Sequence, residues 1–521
     1  MKILLKLLKS NHFLYIFSIL FLPLVGFIYY QRVGGFSLGD EWNNFMAAFF
    51  MQKERNLFSQ IFFNHQVFIV YISYLIQILL HPGNLYKLVL FHRMFILLFA
   101  LIFDVLIIYR FRLKGLAFVF TYELTKFYVF GHLFLAEGFI VYPLVYMFAL
   151  AFEKINKKSL GFIEIILSGI FAWFIIFMRE PFIPVALLLY LIIILKKKID
   201  FQTYASLIIF VTLSVLTLLP IAKSLPDYFD QVIMFNIKVM LPTQAGNFAG
   251  DGILHIIFYP IFILLEGKWN HFRLVLINLD LIFMVLMFSF IKLKKYKIVG
   301  FIVLILTLCA IRFVPPGTMY FEAFHMAPWY GLFIMSTSLL VREFLQLKNI
   351  NYVITCLILA ISVVLFINTT SFKSFIWEKV NKEELFTINY ANYFINGEVI
   401  RLLANPKDTL FTDLWDYLIY WQANLDSSYK YAVYIFSMRG TLKYDLAKEE
   451  MFKSNPPDFY YTYCSKGVYH SDLMPKFALN EYLQLYLRDK PACIYIKKTK
   501  LPLIPQTKWN EVQKFGFYPP K

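Results

Sequence analysis

A chain of 521 residues that is 60% hydrophobic and only 16% charged, with a mean hydropathy of +0.63, lies outside the balance of soluble globular domains and reads as a polytopic membrane protein. Its net charge of +17 sits in short basic clusters between apolar runs, a pattern of membrane topology and not of a nucleic-acid footprint. The four cysteines lack metal-ligand spacing, which argues against a structural zinc site.

Residues 12–31 carry no acid or base except His12, and Lys2, Lys6 and Lys9 precede them, so the positive-inside tendency puts the N-terminus in the cytoplasm. No small-x-small cleavage site follows Tyr29 and Tyr30, and the segment reads as an uncleaved signal anchor. Asp40 and Glu41 then face outward. A helix start favours such a pair electrostatically, and a membrane enzyme working on the outer face needs a base there.

Each later basic cluster predicts a cytoplasmic turn: Arg110 to Lys114, Lys154 to Lys158, Lys196 to Lys198, Lys292 to Lys297, and Arg342 with Lys348. The apolar stretches 66–80 and 253–266 are short for a crossing and are expected to be interfacial or re-entrant helices on the outer face. The remaining apolar runs, at 12–31, 88–109, 115–131, 138–153, 159–178, 182–195, 201–222, 272–291, 298–314, 327–341 and 350–368, make about eleven spans. Within them, Asp104, Glu123, Lys126 and Asp280 are expected to be paired in the interior in preference to forming a proton relay, and Glu123 and Lys126 share a helical face at i,i+3.

The expected organisation is a transmembrane domain over residues 1–371 and an extracytoplasmic α/β domain over 372–521. In the latter, Thr409–Thr412, Phe459–Tyr463 and Cys493–Lys497 read as strands and Asn480–Leu487 as a helix. No Gly-rich phosphate loop accompanies the strands. Cys464 and Cys493 share this domain and can pair in an oxidising compartment.

This threading collects Asp40, Glu41, His65, His132, Glu137, Arg179, Glu180, Arg312 and His325 on the outer side, with Lys223, Lys238, Asp251 and Glu322 nearby. Charges at the hydrocarbon edge line wet cavities or pair with each other. Carboxylates for proton transfer beside cations for phosphate suit attack on a lipid phosphosugar.

In order along the chain, Gly39-Asp40-Glu41-Trp42, Asn64-His65-Gln66-Val67, His92-Arg93, Leu135-Ala136-Glu137-Gly138, Met178-Arg179-Glu180-Pro181 and Phe324-His325-Met326-Ala327-Pro328 resemble motifs of the GT-C superfamily of polytopic glycosyltransferases. The likeness is to bacterial relatives of protein O-mannosyltransferases and of the lipid A aminoarabinose transferase. It departs at His65, where the two prolines of the family pattern are missing, and at His325, which stands for Arg.

The resemblance implies an inverting glycosyltransferase of the inner membrane, taking a sugar from a polyprenyl-phosphate carrier and placing it on an envelope glycan, lipid or protein. It implies Asp40 as base with Glu41 orienting or sharing that role, and Glu137 positioning the acceptor or a divalent cation, Mg or Mn. Arg179, Arg312 and His325 would hold the donor phosphate, and His65 and Glu180 would contact substrate. Thr412-Asp413-Leu414-Trp415-Asp416-Tyr417 resembles the acceptor-peptide motif of oligosaccharyltransferases, which keeps a peptide-directed enzyme open. A non-enzymatic lipid-linked-glycan transporter also stays open. Reporters fused after Lys114, Lys158, Lys198 or Lys297 are expected to read as cytoplasmic, and those in the 223–255 loop or after Thr370 as external. A cytoplasmic C-terminal domain would overturn the threading.

Overall fold

In the computed structural model the described residues are 11–35, 40–195, 200–240, 271–310, 324–347, 386, 390–413, 416–462, 464–465, 468–469 and 474–520. The protein is mainly helical. Helix α1 spans Asn11–Arg32, α2 Asp40–Gln52, α3 Phe68–Leu80, α4 Leu85–Phe111 and α5 Leu113–Thr125. They are followed by α6 Ala136–Ile155, α7 Phe162–Met178, α8 Ile183–Ile194 and α9 Phe201–Leu218, which continues through α10 Leu225–Phe229 into a π-helix at Asp230–Met240. Then come α11 His271–Lys292, α12 Tyr296–Cys309 and α13 Ala327–Leu347.

Among the described residues five stretches are long and apolar enough to cross a membrane: Leu85–Phe111, Ala136–Ile155, Phe201–Met240, Val275–Lys292 and Phe324–Phe344. Ten of the eleven expected spans are helical, but several are shorter, such as α5 with 13 residues and α8 with 12. The stretches 253–266 and 350–368 and the domain boundary at 371 lie outside the described residues.

Burial separates the helices by role. Helix α6 is apolar all round and is buried along nearly its whole length, as expected of a bundle centre, where α4, α7, α8 and α13 pack on it. Helix α9 instead exposes Phe201, Tyr204, Ile208, Val211 and Val215. That i, i+3, i+4 spacing makes one continuous apolar stripe, which suits lipid and not water. On its inner side α9 crosses α7 closely: a Cβ at Gly169 would meet the Ser206 Oγ at 2.6 Å, and that hydroxyl donates to the Ile165 carbonyl at 2.8 Å. Close approach at a small residue with a polar bridge is how apolar helices associate in lipid.

Helix α3 has only 13 residues and packs along α2, leaving Leu75, Leu79 and Leu80 exposed, which is the geometry of an interfacial helix. Glu123 and Lys126 do pair, at 2.6 Å, with Tyr142 donating to the same carboxylate at 2.7 Å.

The C-terminal part carries a six-stranded mixed sheet in the order β2-β1-β3-β7-β6-β8. Its strands are β1 Thr409–Thr412, β2 Asp426–Ser427, β3 Phe459–Tyr461, β6 Tyr482–Leu487, β7 Lys490–Lys497 and β8 Phe517–Tyr518, with β4 Cys464–Ser465 and β5 Val468–Tyr469 forming a separate pair. Helices α14 Ala391–Leu403, α15 Leu418–Ala423, α16 Leu442–Ser454, α17 Lys476–Leu479 and α18 Gln506–Gln513 accompany it. The expected helix at Asn480–Leu487 is instead the antiparallel partner of β7, from the pair Tyr482 with Lys497 to the pair Leu487 with Lys490. Cys493, on β7, is disulfide-bonded, while the side chain of Cys464 lies outside the described residues.

This domain rests on the segment after α2. Arg55 donates to Asp426 Oδ1 at 2.8 Å, to the Tyr429 carbonyl at 2.9 Å and to the Ser427 carbonyl. The Phe62 amide donates to the Tyr431 carbonyl at 2.8 Å, and Phe50 meets Tyr420 edge-on at 5.2 Å. Hydrogen bonds from a charged donor contribute about 1.5–3 kcal/mol each at most, so Arg55→Ala is expected to loosen docking without unfolding either part. Limited proteolysis of the purified protein should then cut between the bundle and the sheet several-fold faster; an unchanged cleavage rate would show that Arg55 does not hold the domain.

Candidate functional site

Helix α2 opens with Asp40 and Glu41, whose carboxylates meet the positive end of the helix dipole. The two point into different surroundings. Glu41 is fully buried: its Oε1 accepts from Arg93 Nε at 3.1 Å and from the Phe134 amide at 2.6 Å, and its Oε2 from Arg93 Nη2 at 2.6 Å. Arg93, from α4, is also fully buried and spends Nη1 on the carbonyls of Val33 and Gly35, both at 2.6 Å. The fork of donors on Arg is what allows one side chain to serve so many acceptors. Both Glu41 oxygens are thus engaged within the protein.

Asp40 is half-buried and lies close enough to Arg179 and to Tyr417 of the C-terminal domain to act on both electrostatically. It therefore stands where bundle and domain meet. The Tyr417 hydroxyl is buried with no hydrogen bond among the described residues.

Arg179, at the C-terminal end of α7, is the hub of a second cluster. Its Nε donates to Glu137 Oε1 at 2.9 Å, its Nη1 lies against His65 Nδ1 and 3.7 Å from Glu180 Oε1, and among the described residues Nη2 carries no hydrogen bond. His325 Nδ1 donates to the same Glu137 oxygen at 2.9 Å. His65 Nδ1 also lies 3.5 Å from Glu180 Oε1, while His325 Nδ1 carries the proton it gives to the Glu137 carboxylate. Burial works against the charge on Arg179, but Glu137, Glu180 and Asp40 outweigh it, and its pKa lies above the ordinary arginine value.

Of the residues expected at the site, Asp40, His65, Glu137, Arg179, Glu180 and His325 converge at one end of the bundle, Glu41 sits behind them, and Arg312 lies outside the described residues. The opposite end gathers the basic clusters: Arg110 pairs with Glu153 at 2.8 Å and with Glu164, and Lys114 and Lys158 reach Glu153 at 3.3 and 3.1 Å. Among the described residues no three His, Cys, Asp or Glu side chains form a group that could hold a metal ion.

In the C-terminal domain, Asp413 is consumed internally by Lys448 at 2.8 Å and Tyr460 at 2.9 Å. Asp416 is pushed up to about 6 by burial, against the pull of the Tyr461 and Tyr393 hydroxyls. Arg93 is the residue whose weight the sequence understated; its signal was a guanidinium inside an apolar run, which requires a buried anion. Comparison with known proteins finds no matching family model, no matching curated protein and no matching solved structure.

Breaking a buried ion pair leaves its partner charge without compensation, at a cost of about 3–5 kcal/mol. Arg93→Met is therefore expected to destabilise the protein by that order, and adding Glu41→Gln should recover much of the loss. Thermal unfolding in detergent checks both; a double variant no better than the single one would show that the pair is not the source.

Proposed function

We propose that this chain is a membrane glycosyltransferase that takes a sugar from a polyprenyl-phosphate carrier and places it on an envelope acceptor at the outer face of the inner membrane. The observation that supports this reading is the convergence of Asp40 with the Arg179 cluster at the end of the bundle away from the basic turns, beneath the C-terminal domain. The N-terminus and the Arg110 end are then cytoplasmic, and the C-terminal domain is external.

In the reaction, Asp40 takes the proton of the acceptor hydroxyl as its oxygen attacks the anomeric carbon. The bond from that carbon to the carrier's phosphate oxygen breaks with inversion, and polyprenyl phosphate leaves. Arg179 stabilises the departing phosphate through Nη2, the donor left after Glu137 and His65 orient the guanidinium. Glu137, tied to both Arg179 and His325, acts as the positioning residue of the cluster. Glu41 orients Asp40 by fixing the start of α2 on Arg93.

Asp40→Asn keeps the shape of the side chain and removes the base, so sugar transfer from a polyprenyl-phosphosugar is expected to fall ~10²–10⁴-fold with folding intact. Wild-type transfer by the folded variant would sink the assignment. Arg179→Gln should mainly weaken use of the donor, with Arg179→Lys milder because a point charge remains. Envelope glycolipids and glycoproteins compared by mass spectrometry with and without the protein would identify the acceptor.

A further inference from the structure

A cavity of about 680 Å³ opens between the end of α2, the turn from α3 to α4, and helices α14 and α15 of the C-terminal domain. It is separate from the Asp40 cluster. Gln52, on its wall, ends the 13-residue helix that Asp40 begins, which puts the two about 18 Å apart at 1.5 Å per residue.

The wall alternates flat rings with carboxamides: Phe49, Phe394 and Trp421 stand among Gln52, Gln77 and Gln422. Part of it is rigidly built. Gln77 donates to the Phe45 carbonyl at 2.9 Å and accepts from Gln52 at 3.0 Å, and Glu398 is held by Arg401 Nε at 2.9 Å. Two consecutive residues, Trp421 and Gln422, carry polar groups with no protein partner among the described residues. Gln422 donates Nε2–H to Glu398 at 3.0 Å, which fixes the amide's orientation and leaves its Oε1 buried without a donor among the described residues. Trp421 is half-buried and has neither a ring partner nor a hydrogen bond from its indole N–H among the described residues.

We propose that this cavity binds a neutral oligosaccharide at the membrane surface. A sugar hydroxyl is donor and acceptor at once, which suits a wall of carboxamides beside the indole N–H of Trp421. The C–H face of a pyranose carries partial positive charge and packs on the negative face of an indole. The cation on the wall, Arg401, is neutralised by Glu398, so the cavity does not select an anion. Its volume lies within the range of small-molecule sites. The exposed Leu75, Leu79 and Leu80 of α3 lead directly to its His81–Asn84 rim and set the mouth at the edge of the hydrocarbon. As the acceptor's docking site the cavity rests on the transferase reading, whereas as a saccharide site it does not.

The full-length protein in detergent is titrated with chitotriose and with maltotriose by saturation-transfer NMR. At least one is expected to bind saturably, Trp421→Ala and Gln422→Leu to weaken it tenfold or more, and Trp421→Phe to weaken it less, with thermal unfolding of Gln422→Leu and Trp421→Phe matching wild type. Absence of binding by both sugars, or equal affinity in the variants, overturns the proposal. So does a decapeptide of Asn, Ser and Thr that binds more tightly than either sugar and loses affinity in the same variants, since the cavity is then a polypeptide site. Asp40→Asn is expected to bind the sugar as wild type does. If Asp40→Asn retains transfer while Trp421→Ala loses sugar, the transferase reading falls and the saccharide site stands.

Discussion

The buried pair of Glu41 and Arg93 is the constraint on which the rest of this end of the bundle depends. Neither side chain has any exposed surface, and between them they hold the turn after α1 through Val33 and Gly35, the start of α2, helix α4 and the 130–135 loop through the Phe134 amide. Arg93 Nη2 also approaches the Tyr390 hydroxyl at 3.4 Å, just before α14, which draws the C-terminal domain into the same network. Removing two charges from water is costly, and the attraction between them repays it only when the remaining donors and acceptors are satisfied. Among the described residues the carboxylate accepts from Arg93 Nε, Arg93 Nη2 and the Phe134 amide, and the guanidinium donates to both Glu41 oxygens, the Val33 and Gly35 carbonyls and the Tyr390 hydroxyl. Once α2 is pinned at its first turn, Asp40 is carried to the side that faces Arg179 and Tyr417.

The bundle sorts its charges by depth. Its two ends carry the Arg110–Glu153–Glu164 network and the Arg179–Glu137–His325 cluster, and between them polar groups are few and paired, as Glu123 is with Lys126 and Tyr142. A charge in hydrocarbon costs several kcal/mol, so pairing or placement at an end is the stable solution. Asp104 and Asp280 depart from this: both carboxylates are buried with no hydrogen bond among the described residues, and nothing in the packing around them accounts for it.

The C-terminal domain contributes by where it sits. Arg55, the Phe62 amide and the ring of Trp42 against Tyr393 at 4.7 Å hold it over α2 and the segment that follows, while Lys443 reaches Asp230 at 2.7 Å on the far side. Two groupings of different chemistry lie at its underside. One is charged and centred on Asp40 and Arg179, and the other is neutral and amide-rich beside Trp421.

Much of this was legible in the sequence because it is local. Apolar runs, the i,i+3 pair of Glu123 and Lys126, the short helix α3, and strands β1, β3 and β7 all follow from periodicity within a few residues. Strand β6 did not, and the reason is specific: a register shift between Gln484 and Tyr486 puts its buried residues at Tyr482 and Leu485, a helical spacing produced by a bulge. The candidate site was legible as a set of residues on one side of the threading, but not as contacts. The sequence alone determined that Asp40, Glu41, Glu137, Arg179 and His325 share an end of the bundle, because apolar run lengths and basic turns set that. Only the tertiary structure decided that Arg93 takes Glu41 across 52 residues, that Arg179 takes Glu137 across 42, and that Asp40 remains at the seam, because ion pairs between helices depend on rotation and crossing, which one-dimensional pattern does not carry.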